Sequence, residues 1–259
     1  MSLNSQNALI TGASSGIGME IARQLAPRVA RLVLSGRRRE PLEALVGELE
    51  SRHACRVLPM VVDLRDRDAT LAALAGLPVE FRPLTVLVNN AGLALGFDAL
   101  QDTNPEESDT VFDTNVRAVL TMCRALVPGM LEAGQGHVLN LGSIAGRQAY
   151  KGGSIYCATK AAVLSLTRTL QIELADTPVR VSTIDPGMVQ TDFSLVRFRG
   201  DDQRAAAVYQ NVQPLTPRDV AEAAVWALDR PAHVQIAEMV MYPTCQGSAH
   251  TIHRGDWRS

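Results

Sequence analysis

The segment TGASSGIG, residues 11–18, follows the apolar residues 8–10 and precedes residues 19–25, which are good helix formers. This succession predicts a strand, a glycine-rich turn and a helix. Gly12 permits a tight turn, Gly16 lets the backbone approach a ligand, and the helix N-terminus offers free N–H groups to a pyrophosphate. The spacing G-x-x-x-G-x-G differs from the more usual G-x-G-x-x-G, so a plain tight turn is the alternative. We expect dinucleotide binding by Gly12, Ser14, Ser15, Gly16, Ile17 and Gly18.

Strand and helix patterns alternate along the rest of the chain. Strands are predicted at residues 7–10, 31–35, 56–62, 84–88, 136–141, 179–184 and 238–242. Helices are predicted at residues 19–25, 40–52, 66–77, 105–131, 152–175 and 217–229. This order predicts an α/β fold, a Rossmann-like doubly wound parallel sheet of about seven strands with helices on both faces. No linker divides residues 1–259, so we expect a single domain with an irregular or weakly helical substrate lid at about residues 188–214.

The second predicted strand ends at Gly36 and is followed at once by Arg37 and Arg38. In a dinucleotide-binding sheet this position faces the adenosine ribose, where a carboxylate binds the 2′-hydroxyl of NAD and an arginine holds the 2′-phosphate of NADP. A guanidinium suits phosphate because it can donate two parallel hydrogen bonds. The sequence therefore favours NADP (NADPH) as the cofactor. After the third strand, Asp63 and Leu64 are expected beside the adenine ring.

The composition argues against several kinds of partner. The 259 residues carry a formal net charge of −2, so there is no basic excess for a nucleic-acid backbone. No apolar run is long enough for a membrane span, and the first residues do not resemble a signal peptide, so we expect a cytoplasmic protein. The four cysteines and five histidines lack metal-ligand spacing. We therefore expect reduced thiols, no metal, and a small molecule as the substrate.

Tyr156 and Lys160 are four residues apart in a predicted helix and lie on one of its faces. A phenol has a reference pKa of about 10, and a nearby ammonium lowers it by favouring the phenolate. Such a phenol can exchange a proton with an alcohol or a carbonyl. The same spacing is common on ordinary helices, so the pair gains meaning from Ser143, which precedes it at a strand end. Asn115 lies inside another predicted helix, where bonding to neighbouring backbone is an equal alternative.

These segments together resemble the short-chain dehydrogenase/reductase family over essentially the whole chain. The motifs that carry the resemblance are TGASSGIG at residues 11–18, NNAG at 89–92, Asn115, Ser143, Tyr156-x-x-x-Lys160, and Pro186-Gly187 followed by Thr191. Residues 89–96, 194–202 and 242–244 carry a narrower resemblance, to NADP-dependent 3-hydroxy acid dehydrogenases, which include serine and allo-threonine dehydrogenases and malonic semialdehyde reductases. Many NADP-using members have a basic residue where this chain has Ser15, so the cofactor prediction rests on Arg37 and Arg38.

The resemblance implies a role for each matching residue. Tyr156 is expected to be the general acid/base, and Lys160 to lower its pKa and bond the nicotinamide ribose. Ser143 is expected to hold the substrate oxygen, and Asn115 to support a water in a proton relay. Cofactor contacts are implied on the adenosine side for Asn90, Ala91 and Gly92, and around the nicotinamide for Pro186, Gly187, Val189 and Thr191. Resembling proteins form tetramers, so we expect a homotetramer.

The implied reaction is hydride transfer between NADP and the 3-hydroxyl carbon of a small 3-hydroxy acid. An arginine is a natural partner for the substrate carboxylate. Arg197 in the lid is the first candidate, although a surface or interface role is its alternative, and Arg199 lies in the same segment. Arg147 and Gln148, just after the strand end at Ser143, are other candidates. Two other functions stay open. One is reduction of another carbonyl, such as a 3-oxoacyl thioester or a xenobiotic ketone, and the other is a non-catalytic dinucleotide-sensing module.

Overall fold

A computed structural model describes residues 3–255, and within them the strands form one parallel sheet. The strands are β1 Asn7–Thr11, β2 Arg31–Gly36, β3 Arg56–Val61, β4 Val86–Asn89, β5 Gly136–Leu141, β6 Val179–Pro186 and β7 Glu238–Met241. Their order across the sheet is β3-β2-β1-β4-β5-β6-β7. The chain reverses direction across the sheet between β1 and β4, and ligands of such folds bind beyond the strand ends at this point.

The strands are joined by helices that return the chain to the same edge of the sheet. The α-helices of the described residues are α1 Gly16–Leu25, α2 Arg39–Arg52, α3 Arg67–Ala75, α4 Pro105–Phe112, α5 Ala118–Glu132, α6 Ser154–Glu173, α7 Phe193–Arg197, α8 Asp202–Val208 and α9 Pro217–Leu228. No helix among them combines the length and hydropathy that a bilayer span requires. Over the same residues, no cluster of histidine, cysteine and carboxylate side chains is placed to hold a metal ion.

The core lies on both faces of the sheet, because successive strand residues point to opposite faces. In β2, Leu32 and Leu34 join the apolar cluster that contains side chains of α1, α2 and α9. Val33, between them, joins the opposite cluster, to which Met122 of α5 and Val163 of α6 belong. Burial on both faces explains why these strands read as continuous apolar runs. The prediction of a doubly wound parallel sheet is confirmed.

One segment, residues 105–131, differs from its predicted form. The helix predicted at residues 105–131 is divided by a π-helical turn, Asp113–Arg117, between α4 and α5. A π-turn inserts an extra residue into the helix and changes the direction of the side chains that it carries. The segment at residues 188–214, predicted to be irregular or weakly helical, contains the short helices α7 and α8. Both segments lie next to the carboxyl ends of the strands, where the candidate site is found.

Candidate active site

A cavity of about 710 Å³ lies beyond the carboxyl ends of the strands. Most residues predicted to bind cofactor or substrate line it: Gly12, Ser14, Ser15, Gly16, Ile17, Arg37, Arg38, Asp63, Leu64, Asn90, Ala91, Gly92, Ser143, Tyr156, Lys160, Pro186, Gly187, Val189, Thr191 and Arg197. Gly18, Asn115 and Gln148 are not part of this wall. The structure therefore brings together the ends of six strands, from Thr11 at the end of β1 to Pro186 at the end of β6.

The glycine turn after β1 has the shape that a bound pyrophosphate needs. Gly12 has φ +66°, and a Cβ there would lie 2.9 Å from the Ala91 Cα. A Cβ on Gly18 would collide with the Gly12 carbonyl and with the Asn90 side chain, so this glycine serves packing between helix and strand. The first N–H groups of α1 are not capped by the Ser15 side chain. These donors, with the positive end of the helix dipole, fit the diphosphate of a dinucleotide.

Asn90 and Thr11 tie the turn to the end of β4. The Asn90 side-chain amide donates to the Thr11 carbonyl at 2.9 Å and to the Gly12 carbonyl at 3.2 Å. The Thr11 hydroxyl oxygen accepts from the backbone N–H groups of Asn90 and Ala91, each at 3.0 Å. The NNAG segment thus supports the turn directly, in addition to lining the cavity.

Two exposed arginines follow β2 on the cavity wall, as the sequence predicts for a 2′-phosphate site. The Arg38 guanidinium donates to the Ser14 carbonyl at 3.2 Å and to its hydroxyl at 3.3 Å, which holds it over the glycine turn. Across this end of the cavity, Arg65 donates to both carboxylate oxygens of Asp63. That pairing, together with the charge of Arg37, holds the pKa of Asp63 below its usual range despite partial burial. The sequence did not single out Arg65 as a cavity residue, although it follows Asp63 by two positions.

At the other end of the cavity, Lys160 is buried on α6 and its ammonium donates to the Leu141 carbonyl at 2.7 Å. Burial lowers the pKa of Lys160 to about 8, and the charge of Asp185 opposes this shift. Ser143 follows β5, and its hydroxyl oxygen accepts from the Ala145 N–H at 3.1 Å. The ammonium lies 5.9 Å from the ring centroid of Tyr156. The helical spacing has therefore placed both groups on the face that meets the cavity.

The pKa of Tyr156 differs in direction from the sequence-based expectation. Burial raises it, the neighbouring Tyr150 raises it further, and the Ser143 hydroxyl and Arg197 charge only partly oppose this. The Lys160 ammonium does not govern the shift, because it is directed to the Leu141 carbonyl. Within the chain itself, the phenol is therefore held in its protonated form.

Asn115 lies behind the cavity wall, on the π-turn, with 1% of its surface exposed. Its side-chain amide donates to the Leu93 carbonyl at 2.8 Å, and its side-chain oxygen accepts from the Leu93 N–H at 2.8 Å. The amide also donates to the Thr159 hydroxyl at 3.1 Å. Bonding to neighbouring backbone, the alternative left open by the sequence, is thus present. These bonds join the loop after β4 to the helix that carries Tyr156.

Arg197 stands over the end of the cavity that contains Tyr156, surrounded by aromatic rings. Its guanidinium carbon is 5.0 Å from the Tyr156 ring centroid, 5.2 Å from that of Phe193, and 5.7 Å from those of Phe97 and Tyr150. One terminal nitrogen donates to the Tyr150 hydroxyl at 2.6 Å. Its Nε is buried and has no hydrogen-bond partner. A buried donor without a partner is costly, so the site is suited to an anionic ligand.

The other candidates for substrate binding have different partners. Arg147 forms ion pairs with Asp185 and Glu238. The side-chain oxygen of Gln148 accepts from the Ala249 N–H at 2.8 Å. Arg199 donates to both oxygens of Glu107. These contacts point the three side chains away from the cavity, because their elements pack against β6, the C-terminal segment and α4 instead.

Several cavity residues were not found from the sequence. The aromatic side chains of Tyr150, Phe193 and Tyr209 line the chamber, as does Gln246, whose side-chain oxygen accepts from the Met188 N–H at 2.8 Å. Of these residues, only Tyr150 could have been suspected from the sequence, because it lies between Ser143 at the end of β5 and helix α6, which carries Tyr156. The others come from the lid and the C-terminal segment, whose positions depend on tertiary packing.

Comparisons with known proteins agree with this geometry. Residues 6–201 match the family described as short chain dehydrogenase. An NADP-dependent 3-hydroxy acid dehydrogenase of Schizosaccharomyces pombe is 44% identical over 254 residues, which cover 97% of this chain and 98% of that protein. The NADP-dependent 3-hydroxy acid dehydrogenase YdfG of Escherichia coli (strain K12) is 43% identical over 248 residues, covering 95% of this chain and 98% of its own length.

A solved structure has the same fold throughout. A closed form of serine dehydrogenase complexed with NADP+ superposes with a TM-score of 0.89 at 42% identity, covering 95% of this chain and 99% of that one. An archaeal alcohol dehydrogenase from Thermococcus sibiricus, complexed with 5-hydroxy-NADP, gives a TM-score of 0.82 at 28% identity. The match covers 93% of this chain and 98% of that one. The matched motifs, the sheet order and these similarities agree: the chain belongs to the short-chain dehydrogenase family.

Proposed function

We propose that this protein is an NADP-dependent oxidoreductase that transfers a hydride between the cofactor and the 3-hydroxyl carbon of a small 3-hydroxy acid. The observation that carries this proposal is the Arg197 guanidinium, 5.0 Å from the ring centroid of Tyr156 in the cavity that also contains the glycine turn. Only two bonds of carbon chain separate the hydroxyl-bearing carbon of a 3-hydroxy acid from its carboxylate carbon. A proton-transferring phenol and a carboxylate-binding cation must therefore be neighbours, as these two are.

The residues at the adenosine end fit NADP. The turn at Gly12 and Gly16 and the N-terminus of α1 would hold the diphosphate, and Arg37 and Arg38 would hold the 2′-phosphate. When bound, NADP supplies the hydride acceptor or donor and, in its oxidised form, a positive charge beside Tyr156. The chain itself supplies binding, orientation and the path for the proton.

Tyr156 is the proposed general acid/base: it takes the proton of the 3-hydroxyl in oxidation and returns a proton to the 3-oxo oxygen in reduction. Its raised pKa favours the protonated form, which is the form needed for reduction. Ser143 would hold the substrate oxygen. Lys160 would bond the nicotinamide ribose and act as the neighbouring proton carrier, since its pKa of about 8 allows both charge states near neutral pH.

Asn115 would act on Lys160 from behind the cavity wall. Its side chain bonds the Leu93 backbone and the hydroxyl of Thr159, the residue before Lys160, and the proposed relay through water would begin there. A Cβ on Gly92 would lie 3.3 Å from the Asn115 side-chain oxygen and 3.5 Å from the Lys160 nitrogen, so the glycine leaves room between them. This space supports the proposed relay, because a bridging water needs polar partners on both sides, here the Asn115 oxygen and the Lys160 nitrogen.

The acid substrate is favoured over the alternative functions. A 3-oxoacyl thioester or a neutral ketone has no free carboxylate and would bring no negative charge to the Arg197 guanidinium, so it would lack the charge-assisted hydrogen bonds that an acid can form there. A dinucleotide-sensing module would not need Ser143, Tyr156 and Lys160 together at the cavity wall. Residues 188–214, with α7 and α8, would serve as the lid of a single-domain enzyme, because α7 brings Arg197 over the site.

We further propose a cytoplasmic homotetramer. The four cysteines are all buried as free thiols, which suits a reducing compartment. Large apolar side chains are exposed on three helices: Phe112 on α4, Leu120 and Leu131 on α5, and Ile172 on α6, the last with 78% of its surface exposed. Burying such side chains against another copy would remove apolar surface from water.

The first prediction concerns proton transfer. Replacing Tyr156 by phenylalanine keeps the ring and removes the oxygen, so kcat should fall by a factor on the order of 10³. Binding of NADPH, followed by its fluorescence, should stay close to that of the parent protein, because the turn and the arginines are untouched. Turnover that survives the substitution would assign the proton transfer to another group.

The second prediction concerns the cofactor. Replacing Arg37 and Arg38 together by alanine should raise the KM for NADPH by about 10- to 100-fold, because charge-assisted hydrogen bonds are lost. The KM for NADH should stay nearly unchanged. Arg39→Ala is the matched control, because this arginine pairs with Glu43 on α2 and is not on the cavity wall. Equal losses for both cofactors would contradict a 2′-phosphate site.

The third prediction concerns the substrate. Arg197→Met should lower kcat/KM for a 3-hydroxy acid by at least about tenfold while having little effect on its methyl ester, which lacks the negative charge. Arg199→Met removes the same charge from the same segment outside the cavity and should keep the preference for the acid. If Arg197→Met retains the full preference for the acid, Arg197 does not bind the carboxylate.

The fourth prediction concerns assembly. Light scattering after size-exclusion chromatography should give a mass four times the 27.9 kDa of the chain. Ile172→Glu places a charge at an exposed apolar position of α6 and should shift the protein to smaller species. A parent protein that elutes as a monomer at micromolar concentration would exclude the tetramer.

A further inference from the structure

Tyr150 is a cavity residue that the proposed reaction leaves without a role. Its hydroxyl oxygen accepts from the Arg197 guanidinium at 2.6 Å. Its ring stacks on Phe97, with centroids 6.0 Å apart and an angle of 18° between planes. The side chain is thus held at both its apolar and its polar end, next to the arginine that stands over Tyr156.

Two glycines before α6 make room for this arrangement. A Cβ on Gly153 would lie 2.7 and 2.8 Å from atoms of the Tyr150 ring, so any larger residue would displace the ring. Gly152 has φ +78°, and a Cβ there would lie 2.8 Å from the Phe97 ring. The segment that connects β5 to the catalytic helix is therefore shaped around the Phe97–Tyr150 stack.

The chemistry of the Tyr150 hydroxyl suits a donor. Its oxygen already accepts from Arg197, and its own hydrogen is available to an acceptor. The Cys157 thiol adjoins it, but a thiol is a weak acceptor compared with a carboxylate. Burial raises the pKa of Tyr150, so the hydroxyl keeps its hydrogen over the working range of the enzyme. The unpartnered Nε of Arg197 is a second donor in the same place.

We propose that Tyr150 and Arg197 together form the carboxylate subsite, in which Arg197 supplies the charge and Tyr150 the orientation. This inference rests on the proposed 3-hydroxy acid substrate. One terminal nitrogen of Arg197 is already bonded to Tyr150, so a carboxylate that accepts from both side chains has its plane fixed by two different donors. Fixing that plane places the 3-hydroxyl toward Tyr156 and Ser143. Tyr150 thereby contributes to the selection of acids without taking part in proton transfer.

The test compares a 3-hydroxy acid with its methyl ester in Tyr150→Phe, which keeps the ring stacked on Phe97. Loss of one hydrogen bond to a charged group should raise the KM for the acid about tenfold, or about 1.4 kcal/mol. The kcat for the acid should fall as well, because the acid is no longer oriented toward Tyr156, whereas the KM and kcat for the ester and the binding of NADPH should stay near their parent values. Tyr209→Phe is the matched control: it removes another cavity hydroxyl, which donates to the Val189 carbonyl, and should not alter the ratio of acid to ester.

A double substitution separates this inference from the function on which it rests. In the Arg197→Met background, Tyr150→Phe should have little further effect, because the hydroxyl has lost the partner that positions it. An unchanged ratio of acid to ester in Tyr150→Phe, with that ratio lowered in Arg197→Met, would overturn the role of Tyr150 and leave the proposed function standing. Parent enzyme that does not prefer the acid to its ester would overturn both.

Discussion

Hydrogen bonds between Asn90 and the end of β1 are the constraint on which the cavity depends. The sheet reverses its winding between β1 and β4, so helices diverge from this point and leave a crevice beyond the strand ends. The Asn90 amide closes the base of the crevice by bonding the carbonyls of Thr11 and Gly12. The glycine turn can then present its N–H groups to a ligand, since its own carbonyls are already satisfied within the protein.

Burial sets the protonation states at the other end. It lowers the pKa of Lys160 and raises that of Tyr156, so both shifts favour neutral groups. Asp185 opposes the shift of Lys160, and Arg147 and Thr183 hold this carboxylate in turn. Such a site responds strongly to any charge that a ligand brings into it, because few water molecules or mobile ions screen that charge. This responsiveness is what a reversible proton transfer coupled to hydride transfer needs.

Helix α7 adds a cation, Arg197, to this chamber. Helix α7 has only five residues and cannot be stable by itself, so its position comes from contacts with the rest of the fold. The Arg197 carbonyl accepts from the Gly96 N–H at 2.9 Å, and Arg199 pairs with Glu107 of α4. Arg197 is therefore directed inward while Arg199 faces outward. Aromatic faces stabilise the inward guanidinium without neutralising it, which keeps its charge for an anionic ligand.

The sequence by itself determined the fold, the glycine turn, the arginines after β2 and the helical pair Tyr156 and Lys160, because each depends on local spacing or on apolar periodicity. It offered Arg197 as the first candidate for the substrate carboxylate, with Arg147, Gln148 and Arg199 as others, but it could not place them, since polar side chains in loops look alike before the chain is folded. Only the tertiary structure decided that Arg197 meets Tyr156, that Tyr150 accepts its hydrogen bond, and that Asn115 bonds backbone. It also reversed the expected direction of the pKa of Tyr156, because desolvation depends on all the groups packed around the phenol and a four-residue spacing carries no information about them.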